Sequence, residues 1–272
     1  MQSFPVISVL QLGRIDYAAG LRIQQELVEL RKAGRIGDVL LLLEHTPVIT
    51  LGRNAKAANI LLPPDQLAQR GVEVFECNRG GDVTFHGPGQ LVGYPIFDLH
   101  GYSSSQLPAL SSQERPARKT LGAIDYVRRL EEVLIRTCAD FSIATKRVAG
   151  LTGAWTEKDP EAKIAAIGVH ISRSVTSHGF ALNVNTDLKF FDLIVPCGIA
   201  TKPVTSMKKE LGRELDMHAV EESVMRHFGS LFERPMARLE SLDVLLERVV
   251  GVPMKAPAEL RAIHGEDGAR PA

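Results

Sequence analysis

Cysteine is scarce in this chain, with three residues in 272, at positions 77, 138 and 197. They form no CxxC pair and their number is odd, which argues against a disulfide framework and for reducing surroundings. Excess charge of either sign is also missing. Lys and Arg number 32, as do Asp and Glu, so overall charge gives nucleic-acid binding no support. No apolar run approaches the roughly 18 residues of a spanning helix, and no membrane segment is expected. The first residues, MQSFPVISVLQLG, carry no basic segment ahead of their apolar stretch and lack a signal-peptide layout. A cytoplasmic setting follows as the expectation. GxGxxG is absent, and so is the GKS or GKT of a phosphate-binding loop. The eight histidines include no HExxH and no zinc-finger spacing, so no metal and no cofactor is expected.

What is present is apolar patterning of both periods. Residues 5–12 read as a strand. Residues 16–34 read as a helix, with Ala19, Ile23, Leu27 and Leu30 at helical spacing. Val39 to Leu43 is a continuous apolar run suited to a central strand. A short helix is expected after Pro64 and a strand at 72–77. Helical spacing returns at Ile124, Val127, Leu130, Leu134 and Cys138, and again at Met217, Val220, Val224, Phe228 and Leu231. Between those helices residues 148–185 read as strands. With no regular βαβ period, the expected class is α/β (α+β) in a single domain, with sheet packed against helices. Residues 101–120 are Ser/Pro-rich and resemble a surface insertion. Residues 1–235 form the expected main unit. From 236 to 272 a C-terminal extension is expected, with a peripheral helix at 239–250 and a frayed tail.

Two local features carry chemistry. The segment from Arg79 to Gln90, RGGDVTFHGPGQ, holds four glycines and one proline, together with Arg79, Thr84, His86 and Gln90 as polar groups. It reads either as a pair of structural turns or as one wall of a substrate groove, where missing side chains let a thin group lie against backbone. Cys197 sits in Pro196–Cys197–Gly198 after the apolar Leu193, Ile194 and Val195. It is either a small buried hydrophobe or a thiol facing a cleft. Cys138 lies on the apolar face of its helix and reads as core, and Cys77 also reads as structural. In the alternating segment 163–172, Lys163 shares the parity of Ala165, Ile167, Val169 and Ile171, the more apolar face. It either snorkels to water at the strand mouth or lies against a partly desolvated site. His86, His170 and His178 are histidines that the fold could bring towards a cysteine.

The stretches RGGDVTFHGPGQLVGYP at 79–95, KIAAIGVHISR at 163–173, HGFALNVNTDL at 178–188 and IVPCGI at 194–199 resemble the lipoyl(octanoyl) transferase family. The similarity runs from about residue 8 to about residue 230. It implies the fold shared by the catalytic domains of biotin and lipoate protein ligases, in a monomer. It also implies the reaction: octanoyl transfer from octanoyl-acyl carrier protein to a lysine of lipoyl domains. Acceptors of that kind are the lipoyl domains of 2-oxoacid dehydrogenase complexes and the glycine cleavage H protein. Cys197 matches the family's acyl-accepting nucleophile and Lys163 its partner lysine. Arg79, Gly80, Gly81, Asp82, Val83, Thr84, Phe85 and His86 match its substrate-contacting loop. Ala166, Ile167 and Gly168, with Gly179, Phe180 and Ala181, match its two other groove stretches. The rival readings are an ATP-dependent ligase of the same fold, a protein that only docks lipoyl domains, and a cysteine hydrolase of acyl thioesters.

Overall fold

A computed structural model describes residues 6–102, 120–195 and 202–250, with side chains as far as 246. Most of the expected insertion, the segment 196–201 that contains Cys197, and the tail from 251 lie outside the described residues. Among the described residues the chain order is β1 (Ile7–Ile15), α1 (Tyr17–Lys32), β2 (Val39–His45), β3 (Val48–Leu51), α2 (Pro64–Gln69), β4 (Glu73–Glu76), β5 (Val83–His86), β6 (Gln90–Ile96), α3 (Ala123–Asp140), β7 (Thr145–Val148), β8 (Leu151–Thr156), β9 (Lys163–Ser172), β10 (Val175–Asn183), α4 (Met207–Leu211), α5 (Met217–Phe232), β11 (Met236–Arg238) and α6 (Leu242–Val250).

The strands form an eight-stranded sheet in the order β11-β1-β2-β6-β10-β9-β8-β7 and a three-stranded sheet, β4-β3-β5. In the large sheet β1 runs parallel to β2 and β11, whereas β2, β6, β10, β9 and β8 pair antiparallel. The fold is therefore mixed α/β, with sheets packed against helices as expected. The run Val39 to Leu43 is apolar throughout because β2 is buried on both faces. Leu40 and Leu42 join the core under α3 and α5, and Val39, Leu41 and Leu43 the core under α1. The Asp16 carboxylate caps α1, accepting from Ala19 N at 2.7 Å.

One expected core position is exposed. Ile124 is 69% accessible. Lying six residues before Leu130, it sits about a third of a turn off the buried stripe through Tyr126, Leu130 and Leu134. Leucines within 236–246 join the core under α1. β11 pairs with β1, and Leu239, Leu242, Leu245 and Leu246 are buried with Leu10, Leu12, Ile23 and Leu27. No helix among the described residues is long and apolar enough to cross a membrane.

β6 and β10 leave no room for a side chain at Gly179. A Cβ on Gly179 would lie 2.1 Å from Gly93 O and 2.7 Å from Pro95 Cδ. Neither atom belongs to a flexible side chain that can swing away, so Gly179→Ala must push β10 off β6. A loss of about 3 kcal/mol is expected, a drop of roughly 6–12 °C in Tm for a chain of this size. Thermal denaturation checks it, and an unchanged Tm would show that the two strands part freely.

Candidate active site

The loop between β4 and β5 lies directly on β9. Gly80 N donates to Val169 O at 3.0 Å, and a Cβ on Gly168 would stand 2.8 Å from Gly80 O. Backbone meets backbone here, which is the physical need behind both glycines. Arg79 holds the loop from inside. Its Nη2 donates to Thr50 O at 2.7 Å, its Nε to Thr50 Oγ1 at 3.2 Å, and its Nη1 to Gly80 O at 3.1 Å. Asp82 ties the loop to the chain beyond β3. It accepts from Lys56 N at 3.2 Å and from Asn59 Nδ2 at 2.7 Å.

Between this loop, β9 and β10 lies a cleft, partly open to solvent. Arg79, Gly80, Gly81, Asp82, Thr84, His86, Ala166, Ile167, Gly168, Gly179, Phe180 and Ala181 all line it. Three sequence-distant segments thus converge on one cavity. Val83 and Phe85 do not join them. β5 alternates, and these two point into a third core with Ile49, Leu67 and Phe191, where the Phe85 ring stacks on Phe190 at 4.7 Å. Ile167 and Phe180 are wall residues whose side chains pack in the core under α3 and α5.

A second, smaller chamber adjoins the cleft and shares Thr84, Ala166 and Ala181 with it. Lys163 lines this chamber, buried, its Nζ 4.7 Å from the centre of the Trp155 ring. Simple alternation assigned Lys163 to the face of Ala165, and the structure reverses that. β8 pairs Ala154 with Ala165 but Trp155 with Lys163, so a bulge falls between them. Adjacent residues of β8 face opposite ways, so the bulge turns Lys163 onto the cleft face with Ala166 and Gly168. The snorkelling alternative ends there.

Cys197 lies outside the described residues, but its flanks are fixed. Val195 N donates to Asn59 O at 2.8 Å, so the incoming chain is tied through Asn59 to Asp82. On the far side Lys163 N donates to Pro203 O, and Thr205 N to Lys163 O, each at 2.9 Å.

Three histidines face or underlie the cleft, and burial keeps them uncharged at neutral pH. Desolvation pushes His45 and His178 down to about 4. It pushes His86 to about 3, helped by the positive charge of Arg79 and by His45. His45 Nδ1 meets Ile15 O at 3.1 Å, an atom that only accepts, so Nδ1 donates and Nε2 accepts from Tyr94 Oη at 2.7 Å. The same logic fixes His86. Asn183 Nδ2 donates to Thr205 O, Gln90 Nε2 to Phe85 O and Asn183 Oδ1, and Gln90 Oε1 is left to accept from His86 Nδ1 at 2.7 Å. His178 bonds Asn78 Oδ1 at 2.7 Å. His170 stands near the outer end of β9, one rung from His178 and close enough to disfavour its protonation, and does not line the cleft.

Sequence reading did not single out Tyr17, Tyr94 or Asn183 as site residues. Period-two counting could have flagged two of them. Tyr94 shares its parity in β6 with Gln90, and Asn183 shares its parity in β10 with Gly179 and Ala181. Tyr17, at the start of α1, has no such signal.

The family model described as lipoyl protein ligase A/B catalytic domain matches residues 16–229. The octanoyltransferase of Koribacter versatilis (strain Ellin345) is 57% identical over 262 residues, covering 96% of this chain and 98% of its own. The chain belongs to the octanoyltransferase family. A second octanoyltransferase, from Acidobacterium capsulatum, is 56% identical over 246 residues, covering 89% and 96% of the two chains. Among solved structures, lipoate-protein ligase A bound with ATP aligns with a TM-score of 0.64 at 13% identity, over 96% of this chain and 93% of its own. A bi-partite lipoate protein ligase from Thermoplasma acidophilum gives 0.59 at 14%, over 97% and 92%. These likenesses show the fold. The octanoyltransferase relatives set the chain among acyltransferase enzymes of lipoate biosynthesis.

Proposed function

We propose that this octanoyltransferase acts in the cytoplasm, moving an octanoyl group from octanoyl-acyl carrier protein to a lysine of lipoyl domains through a thioester on Cys197. The observation that carries this is the joining of cleft and chamber. The cleft extends to Lys163, and one flank of the Cys197 segment is hydrogen-bonded to Lys163 while the other reaches the cleft wall through Asn59 and Asp82.

In the first step Cys197 Sγ attacks the thioester carbonyl carbon while Lys163 Nζ takes the thiol proton. The carbon–sulfur bond to the donor's pantetheine breaks, and the departing thiolate receives that proton from Lys163. One thioester replaces another, so this step is close to even in free energy. In the second step the acceptor lysine's neutral amine attacks the acyl-Cys197 carbonyl. The bond to Sγ breaks, and the proton lost by the amine returns through Lys163 to the cysteine thiolate. Amide formation makes that step downhill and needs no nucleotide. The acyl chain lies along Gly168 and Gly179, where burial contributes about 0.8 kcal/mol per methylene. Chain length is then read only modestly per carbon. The acceptors are the lipoyl domains of 2-oxoacid dehydrogenase complexes and the glycine cleavage H protein. The enzyme works as a monomer, with its catalytic residues within 1–235.

One assay separates this reading from an ATP-dependent ligase, whose fold is shared. With octanoyl-acyl carrier protein and a lipoyl domain, transfer is expected at full rate without ATP and none from free octanoate. A requirement for ATP with free octanoate overturns it. Release of octanoate without acceptor, as fast as transfer, marks a hydrolase instead.

A further inference from the structure

Trp155 is the single tryptophan in the chain. It is 1% exposed in β8, paired across the sheet with Lys163. Among the described residues its indole Nε1 finds no hydrogen-bond partner. A buried indole usually bonds its N–H, so this ring is not held by that group. Its face is used instead. Lys163 Nζ lies over the ring at 4.7 Å from the centroid, and Lys202 Nζ at 5.7 Å.

The two lysines have different places in the chain. Lys163 opens β9 on the cleft face. Lys202 is the first described residue after the Cys197 segment, and Glu161 binds it. Glu161 also holds Lys146 at 2.8 Å. Its hydrogen bonds to Lys146 and Lys202 keep its carboxyl ionised, down to about 2. The indole face, with Glu161 holding Lys202, therefore joins the lysine of the chamber to the outgoing end of the Cys197 segment.

We propose that Trp155 is a positioning residue that holds Lys163 and Lys202 through the negative face of its ring, and thereby sets Lys163 against the acyl-transfer centre. The proposal rests on the octanoyl-transfer reading. It gives the indole a role that shape alone does not fill. The ring's quadrupole attracts an ammonium, and in a desolvated site that attraction is several times its exposed value. The hold is needed most while Lys163 carries the proton from Cys197 to the leaving thiol. Weakening the ring's negative face therefore slows acylation of the enzyme without loosening substrate binding.

Biosynthetic incorporation of fluorinated tryptophans tests this cleanly, because it alters this ring alone. Fluorine draws charge from the face while nearly preserving shape. With octanoyl-acyl carrier protein as donor, single-turnover acylation is followed by intact mass. A graded fall is expected with one, two and three fluorines, reaching about tenfold, with KM for the donor unchanged. Trp155→Phe retains part of the rate and Trp155→Leu less than either. Equal rates across the fluorinated series overturn the proposal, as does a loss carried by KM alone. If the unmodified enzyme takes up no octanoyl group, the transfer reading itself has failed. If it acylates and the series is flat, only the role of Trp155 falls.

Discussion

Incubated with octanoyl-acyl carrier protein, the protein is expected to gain one octanoyl group, and peptide mapping to place it on Cys197. Cys197→Ala should gain none and lose transfer by at least about a thousandfold, roughly 4 kcal/mol in the barrier. The other two cysteines explain why the adduct is selective. Cys138 is fully buried, and burial pushes its thiol up to about 12, so it stays protonated and out of reach. Cys77 is half-buried and its Sγ donates to Leu51 O at 3.4 Å. Neither lies in the segment between Val195 and Lys202, whose flanks are bonded to Asn59 and Lys163. An adduct on Cys77, or near-normal transfer by Cys197→Ala, overturns the assignment.

Lys163→Met should cut turnover by about 10²–10⁴-fold, the usual worth of a positioned proton-transfer group, while circular dichroism stays native. Methionine keeps the unbranched apolar stem and removes the charge, so packing against Trp155 survives. Lys163→Arg should fail as well, because a guanidinium does not give up its proton in the working range. The double test matters because Lys163 also pairs backbone with Pro203 and Thr205. A side-chain substitution leaves those bonds intact. Unchanged turnover in Lys163→Met would reduce the residue to a stem against the indole.

Much of the fold was legible because burial leaves a periodic mark. Val39 to Leu43 reads as a central strand, and the stripes of α1 and α5 fall where expected. Ile124 misled because chained three-residue steps drift around a helix, while the buried stripe does not. In the loop from Arg79 to His86, motif matching swept in Val83 and Phe85. Strand alternation, legible in principle, assigns them to the opposite face. Buried partners such as Gln90 and Asn183 are harder, since a hydrogen bond between residues 93 positions apart leaves no local pattern.

By itself the sequence determined the family, the segments that meet in the groove and the balance of strand and helix, because these follow from residue types and short-range spacing. Only the tertiary structure decided which way Lys163 faces. Its orientation depends on one unpaired step between β8 and β9, and a bulge is a property of two strands together. A single extra residue there breaks the parity that links Lys163 to the rest of β9, while the alternation from Ala165 to Ile171 holds. The same pairing puts the chain's one tryptophan beneath that lysine, a contact that composition records as a count and only the fold makes into a site.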